Sequence, residues 1–171
     1  MIPSDHFVKF YNEVFKYLDS RNSGELEKYY SLVSRNQEFH CLELFREKGL
    51  AGMYEYWEHI RIEENCDMEI FLEKEYFHCK MAVCPSLSKI TDNDGGACPR
   101  YCDHCPGWIL PLMTKAGFFA VYNIIDRNKP VCEFFVYEKP DKAQEKLAEL
   151  LDVSNKDVIK YNFLPAEKFQ R

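Results

Sequence analysis

The sequence predicts an α+β fold, in which N-terminal helices pack on a mainly antiparallel sheet of about four strands, with a cysteine-rich loop. Over the first 65 residues, apolar side chains recur at steps of three and four, the period of an amphipathic helix. From Cys66 onward they alternate at every second residue, the period of a half-buried strand. No repeat or linker-like composition divides the 171 residues. We therefore predict a single domain over 1–171, with a helical part (1–65) and a part holding the sheet, the cysteine-rich loop and a C-terminal helix (66–171).

Three helices are expected in the N-terminal part. The segment Asn22–Gly24 ends the first helix, because its polar residues and its glycine favour a turn. The second helix extends from Glu25 to about Lys48, although a gap in its apolar stripe near residues 34–36 also allows two helices. Gly49 is the expected stop, and the third helix follows it, from about Leu50 to Glu64.

Strands and two further helices are expected after residue 65. The four segments with a two-residue period or many β-branched and aromatic residues are 68–72, 76–83, 118–125 and 131–138. Asp126–Pro130 joins the last two strands as a hairpin. A short helix is expected over Gly107–Ala116, limited or kinked by Pro111, and a longer one from Pro140 to Leu151.

Charge and apolar patterning argue against two kinds of partner. The net charge is −6 and Lys and Arg form no cluster, which argues against binding to a nucleic-acid backbone. No run approaches the roughly 20 apolar residues of a membrane-spanning helix, and the N-terminus lacks the pattern of a signal peptide. We expect a cytoplasmic protein whose partner is a small molecule. In that compartment structural disulfides are rare, and clustered cysteines more often bind metal or act in redox chemistry.

The cysteine-rich segment from Cys79 to Cys105 holds five of the eight cysteines. Thiolates from neighbouring turns are the ligands that zinc prefers, and the polar, glycine-rich stretch 91–97 can bring the two halves of the segment together. The predicted metal ligands are Cys84, Cys98, Cys102 and Cys105, with His78 and His104 as nitrogen alternatives. An iron–sulfur cluster is the alternative cofactor, since its ligation also needs convergent thiolates. Buried or redox-active thiols, or disulfides, are the remaining interpretations.

The other cysteines have a simpler interpretation. Cys41 lies on an apolar helix, Cys66 at the change from helix to strand, and Cys132 in the last predicted strand. A cysteine in such a position is usually a small buried hydrophobic residue. We therefore expect these three thiols to contribute packing.

The segment from Phe77 to Tyr137 resembles the L-2-amino-thiazoline-4-carboxylic acid hydrolase family of small α+β proteins. The resemblance is carried by Cys84-Pro, by Cys102-Asp-His-Cys105 and by Cys132-Glu133-Phe134, in that order, over about a third of the chain. This sequence departs from the family pattern by Cys105 in place of an acid, by Glu133 in place of an aspartate, and by the additional Cys79 and Cys98. The resemblance implies an α+β fold and hydrolysis of a non-peptide carbon–nitrogen bond.

Three functions follow as hypotheses. The first is a metal- or thiol-dependent hydrolase of a small amide or cyclic amidine, in which His104 or Glu133 accepts the proton. The second is a small-molecule or metal sensor that binds without turnover. The third is a small iron–sulfur protein.

Overall fold

The computed structural model describes residues 3–21, 24–92, 96–153 and 159–163. For residues 3, 4 and 37–40 it describes the backbone alone. In these ranges the helices are α1 (Pro3–Ser20), α2 (Glu25–Glu63), α3 (Pro85–Thr91), α4 (His104–Ala116) and α5 (Pro140–Val153), with a 3₁₀ turn at Tyr101–Asp103. The strands are β1 (Asp67–Leu72), β2 (Tyr76–Val83), β3 (Phe119–Asp126), β4 (Val131–Tyr137) and β5 (Ile159–Tyr161). The predicted α+β class, with helices before the sheet, is confirmed.

Helix α2 is interrupted at Gly49, where the sequence predicts a helix stop. Gly49 has φ 61° and ψ −137°, a backbone conformation that residues with a side chain rarely adopt. The helix is continuous through residues 34–36, so the alternative of a break there is wrong. After the break the chain passes so close to the preceding turn that a Cβ on Gly52 would lie 2.6 Å from the Leu44 carbonyl oxygen. The predicted end of α1 at Asn22–Ser23 lies outside the described residues.

The sheet has the strand order β1-β2-β4-β3-β5, and every neighbouring pair is antiparallel. The predicted hairpin joins β3 to β4, through a turn over residues 127–130. The sequence predicts about four strands, whereas the described residues contain five. The additional strand, β5, has only three residues and pairs with β3 at Val121–Asn123, so it is too short to show a two-residue period.

Two helical layers cover the sheet. On one face α2 and α4 bury an apolar cluster that includes Phe45, Met53, Trp57, Phe77, Met113, Ala120, Tyr122, Phe134 and Val136. On the other face α5 packs on a smaller cluster that includes Val121, Phe135, Tyr137, Ala143, Leu150 and Ile159. A third cluster joins α1 to the start of α2, to α3 and to the 3₁₀ turn, through Phe15, Leu26, Tyr30, Leu87, Ile90, Cys98 and Tyr101.

Parts of the cysteine-rich segment are helical, and a single cysteine-rich loop is not confirmed. Cys84 is the N-cap residue of α3, and Cys102 lies in the 3₁₀ turn. Cys105 lies in the first turn of α4, a helix that begins three residues before the predicted Gly107 and continues through Pro111. Among the described residues, none of the helices has both the length and the apolar character that crossing a membrane requires.

A buried thiol cavity as the candidate functional site

A small cavity lies between the cysteine-rich helices and the face of the sheet that α2 and α4 cover. Four cysteines line it: Cys84, Cys102, Cys105 and Cys132. The remaining lining residues are Leu87, Tyr101, His104, Tyr122, Ile124, Lys129, Pro130 and Val131. Its volume of about 20 Å³ is roughly that of one water molecule. We call it the thiol cavity.

Helix starts and a strand bring the four thiols to this place. The Cys84 sulfur accepts a hydrogen bond from the Leu87 amide at 3.5 Å, and the Cys84 amide donates to the Pro130 carbonyl at 2.6 Å. These bonds hold the start of α3 against the β3–β4 turn. Cys132 alternates with Glu133 along β4, so it faces the helices together with Phe134. Cys105 in the first turn of α4 has its sulfur near the positive end of that helix, which favours a thiolate.

His104 is placed to take a proton from Cys105. The Cys105 sulfur lies 3.2 Å from His104 Nε2, while Nδ1 contacts the Tyr101 carbonyl oxygen. Because a carbonyl can only accept, Nδ1 carries the proton, and Nε2 of the neutral ring is the acceptor that faces the thiol. Burial lowers the pKa of His104 to about 4, so the ring is neutral near pH 7. The rings of Tyr101 and Trp108, with centroids 4.8 and 4.7 Å away, hold the imidazole in place.

The Tyr122 hydroxyl connects two of the thiols. It lies 3.2 Å from the Cys132 sulfur, and a hydrogen bond from the same hydroxyl lowers the pKa of Cys105. Burial raises the pKa of Tyr122 well above its ordinary value, so the hydroxyl keeps its proton and can donate it in a hydrogen bond. The ring is fixed by stacking on Phe134 at 5.5 Å. Cys105 and Cys132 therefore flank one rigid donor.

Burial keeps the thiols neutral. It raises the pKa of Cys105 and of Cys84 to about 11 and that of Cys102 to about 12, and it also raises the pKa of Cys79 and Cys132. For each of the other four, the Cys105 thiolate is the charge that raises the pKa most. Cys105 is thus the electrostatic centre of the cluster, and ionisation of one thiol opposes ionisation of the rest.

Three of the four predicted metal ligands, Cys84, Cys102 and Cys105, line the thiol cavity, and Cys98 does not. Cys98 lies against α1, where its amide donates to Asn12 Oδ1 at 2.8 Å. Within residues 3–21, 24–92, 96–153 and 159–163, no group of three His, Cys, Asp or Glu side chains is arranged to hold a metal ion. Zinc and an iron–sulfur cluster therefore stay predictions.

Glu133, the alternative proton acceptor, lies on the opposite face of the sheet from the thiol cavity. Its carboxylate accepts hydrogen bonds from His78 Nε2 at 3.1 Å and from Asn123 Nδ2 at 3.0 Å. The bond to His78 is the main cause that lowers the pKa of Glu133. Since strand neighbours point to opposite faces, Glu133 cannot reach the sulfur of Cys132 or Cys105. Of the two predicted catalytic residues, only His104 belongs to this site.

Sequence reasoning missed Cys132 and Tyr122 as parts of the site. Both are on strands, in the same alternation as the core residues Phe134 and Ala120. The two-residue period of the strands therefore indicates that these side chains share the core face of the sheet. The pairing of β2 with β4 and of β4 with β3 is needed to show where on that face they lie.

Larger open clefts lie elsewhere on the surface. One of about 430 Å³ lies beside α4 and β5, where the Arg100 guanidinium pairs with Asp19, Glu27 and Asp103. Another of about 550 Å³ lies over His78 and Glu133. The thiol cavity differs from both because a potential nucleophile and a potential base are in contact in its wall.

Comparison with protein-family models, curated proteins and solved structures finds no match to this chain.

Proposed function

We propose that the protein is a thiol-dependent hydrolase of a small amide or cyclic amidine, with Cys105 as the nucleophile and His104 as its base. The observation that supports this most directly is the 3.2 Å contact between the Cys105 sulfur and His104 Nε2. A thiol beside an oriented imidazole at a helix start is the arrangement by which proteins activate cysteine. The resemblance of Phe77–Tyr137 to the thiazoline carboxylic acid hydrolases supports the substrate class.

The reaction needs only residues of the thiol cavity. Cys105 gives its proton to His104 Nε2 as its sulfur adds to the amide or amidine carbon. The carbon–nitrogen bond then breaks, and the departing nitrogen takes the proton from His104. Water adds to the remaining carbon–sulfur intermediate, and the carbon–sulfur bond breaks to return the thiol. The Tyr122 hydroxyl, a donor fixed beside Cys105, stabilises negative charge that develops during these steps.

A substrate must displace part of the cavity wall, because the present volume of about 20 Å³ accommodates little more than a water molecule. The β3–β4 turn contributes Lys129 and Pro130 to that wall. The Lys129 side chain there is 77% exposed, and its ammonium group is 3.9 Å from the Asp126 carboxylate. Because an exposed ion pair of this kind contributes little to stability, the turn is the expected point of substrate access.

Cys105→Ser is expected to abolish hydrolysis, since a serine hydroxyl beside a neutral imidazole is a far weaker nucleophile. The probes are L-2-amino-thiazoline-4-carboxylic acid and a panel of small primary amides, with substrate loss followed by liquid chromatography. Protein quenched in acid during turnover should carry a covalent adduct on Cys105 by mass spectrometry. Cys98→Ser, a buried thiol outside the cavity, is the matched control and should retain activity.

Turnover that persists in Cys105→Ser, or an adduct on another cysteine, would contradict the proposal. Binding of these probes by the wild-type protein without any turnover would favour a sensor.

A second candidate function is binding of a soft metal ion, because four thiols line a cavity large enough for one ion. Cys84, Cys102, Cys105 and Cys132 would hold zinc there, with Cys132 in the place that sequence analysis gave to Cys98. Four thiolates would fill the tetrahedral coordination of zinc, so the ion would stabilise the structure and leave no position for a coordinated water. The sulfurs would have to move closer together, given their present arrangement.

For metal binding, we expect near-stoichiometric zinc in protein purified under reducing conditions without chelators, measured by elemental analysis. Cys102→Ser or Cys105→Ser should then lose the metal, whereas Cys41→Ser, a change in the α2 core, should leave the stoichiometry unchanged. Brown protein with visible absorption, prepared without oxygen, would instead indicate an iron–sulfur cluster. Protein free of metal in every preparation would exclude this candidate.

A further inference from the structure

Cys132 is a half-buried thiol that the proposed hydrolysis does not use. It faces the thiol cavity, and its sulfur lies 3.2 Å from the Tyr122 hydroxyl. Cys105 lines the same cavity as Tyr122 and Cys132. Of all the charges around Cys132, that of a Cys105 thiolate acts on it most strongly. Cys105 therefore has a base, His104, in contact with its sulfur and a second thiol, Cys132, in the wall of the same cavity.

We propose that the thiol cavity reduces hydrogen peroxide, with Cys105 as the thiol that is oxidised and Cys132 as the thiol that closes a Cys105–Cys132 disulfide. This activity shares Cys105 and His104 with the proposed hydrolysis, but it does not depend on hydrolysis being correct.

The chemistry balances with the residues present and one peroxide. Cys105 gives its proton to His104 Nε2, and the thiolate attacks one peroxide oxygen. The oxygen–oxygen bond breaks, which leaves a sulfenic acid on Cys105 and a hydroxide that becomes water with the proton held by His104. Cys132 then attacks the Cys105 sulfur, the sulfur–oxygen bond breaks, and the leaving oxygen departs as a second water with the Cys132 proton. Two thiols and one peroxide give one disulfide and two waters.

The size of the cavity selects the oxidant. A volume of about 20 Å³ fits a molecule scarcely larger than water, which hydrogen peroxide is and an alkyl hydroperoxide is not. The polar groups that a peroxide needs are in the wall, since His104 Nε2 accepts and the Tyr122 hydroxyl donates. A hydrolase substrate is too large for this cavity and has to open its wall, whereas peroxide is small enough to react in the closed structure.

Cys79 on the neighbouring strand is a poor disulfide partner for Cys132. Cys79 lies opposite Phe134 in the β2–β4 pair, whereas Cys132 lies opposite Met81, so the two strand cysteines are diagonal neighbours. Diagonal positions place their Cα atoms about 7–8 Å apart, which exceeds the span of a relaxed disulfide.

The test is to treat reduced wild-type protein with hydrogen peroxide and to map disulfides by peptide mass spectrometry. We expect a Cys105–Cys132 bond that dithiothreitol reverses, and a rate at least about tenfold lower with cumene hydroperoxide, which exceeds the cavity. In Cys132→Ser, unfolding in urea with dimedone directly after the peroxide treatment should trap a sulfenic acid on Cys105, because dimedone exceeds the closed cavity. In Cys98→Ser the disulfide should form as in the wild type. Circular dichroism confirms that each variant is folded.

Three results would overturn the proposal. They are a different disulfide as the first product, oxidation of Cys105 that is no faster than that of Cys41, or equal rates with both peroxides. The wild-type mapping needs no variant to fold and no hydrolase substrate, so a negative result here leaves the hydrolase proposal untouched, and the reverse also holds.

Discussion

Raising the pH from about 9 to 10 is expected to lower the free energy of unfolding by at least roughly 5 kcal/mol, because the folded protein keeps at least five thiols protonated. In the unfolded chain a cysteine titrates near pH 8.5, whereas burial raises the pKa of Cys84 and Cys105 to about 11 and that of Cys102 to about 12. Burial also raises the pKa of Cys79 and Cys132. Above about pH 8.5 the unfolded state therefore releases protons that the folded state retains, which favours unfolding.

Each such thiol contributes about 1.4 kcal/mol per pH unit once the unfolded chain is ionised. Five such thiols together can lower the free energy of unfolding of a typical domain, roughly 5–15 kcal/mol, to zero within one or two pH units. The stabilisation is complete below the unfolded-state pKa and is lost as the pH rises toward the folded-state values. Stability should therefore be level between about pH 7 and 8 and fall steeply above 9.

Urea denaturation at a series of pH values, with a phosphine reductant, measures this slope. Cys132→Ala should lower it by about 1.4 kcal/mol per pH unit, because one proton fewer is released. Gly52→Ala is the matched control, since its Cβ would clash with the Leu44 carbonyl and lower stability equally at every pH. A free energy of unfolding that stays constant up to about pH 10 would mean that the thiols are not buried as the structure has them.

Much of the fold follows from local sequence signals. Helix periodicity and Gly49 give the position of the break in α2, and two-residue alternation gives β1 to β4.

The two helices that differ from the sequence analysis, α3 and α4, also have local causes. The stretch after Cys84 reads as a loop because its residues are short and polar, yet Pro85 at the first helical position and the Cys84 cap start α3. Helix α4 continues through Pro111, where packing of its apolar side chains on α2 and the sheet outweighs the lost hydrogen bond.

The candidate site could be predicted only in part, because its cysteines come from distant parts of the chain. Their spacing identifies Cys102 and Cys105 as neighbours, but no spacing shows that Cys132 faces them across the cavity. Pairing of β3 with β4 opposes Asn123 to Glu133, which carries Glu133 to the His78 side and leaves Cys132 on the cavity side. A shift of one residue in β4 would exchange the two side chains, so the register decides the chemistry.

His104→Gln is expected to lower the hydrolysis rate by about 100-fold to 10,000-fold, the usual contribution of a positioned general base. The proton acceptor 3.2 Å from the Cys105 sulfur is lost, and the thiol must then ionise directly into solvent. His78→Gln is the matched control, because it makes the same change in the histidine on the other face of the sheet, beside Glu133. It should alter the rate by no more than about twofold, since His78 lies with Glu133 on the face of the sheet opposite the thiol cavity.

The pH profile separates a base from a residue that only packs. Burial lowers the pKa of His104 to about 4, so the neutral ring accepts a proton at any pH above about 5. The wild-type rate should therefore be level from about pH 5 to 8 and fall only in more acidic solution, as His104 becomes charged. In His104→Gln the reaction needs a preformed thiolate, and because burial raises the pKa of Cys105 to about 11, the residual rate should rise about tenfold per pH unit up to pH 8. A variant that keeps the level wild-type profile, only lower, would show that His104 supports the structure of the cavity and takes no proton.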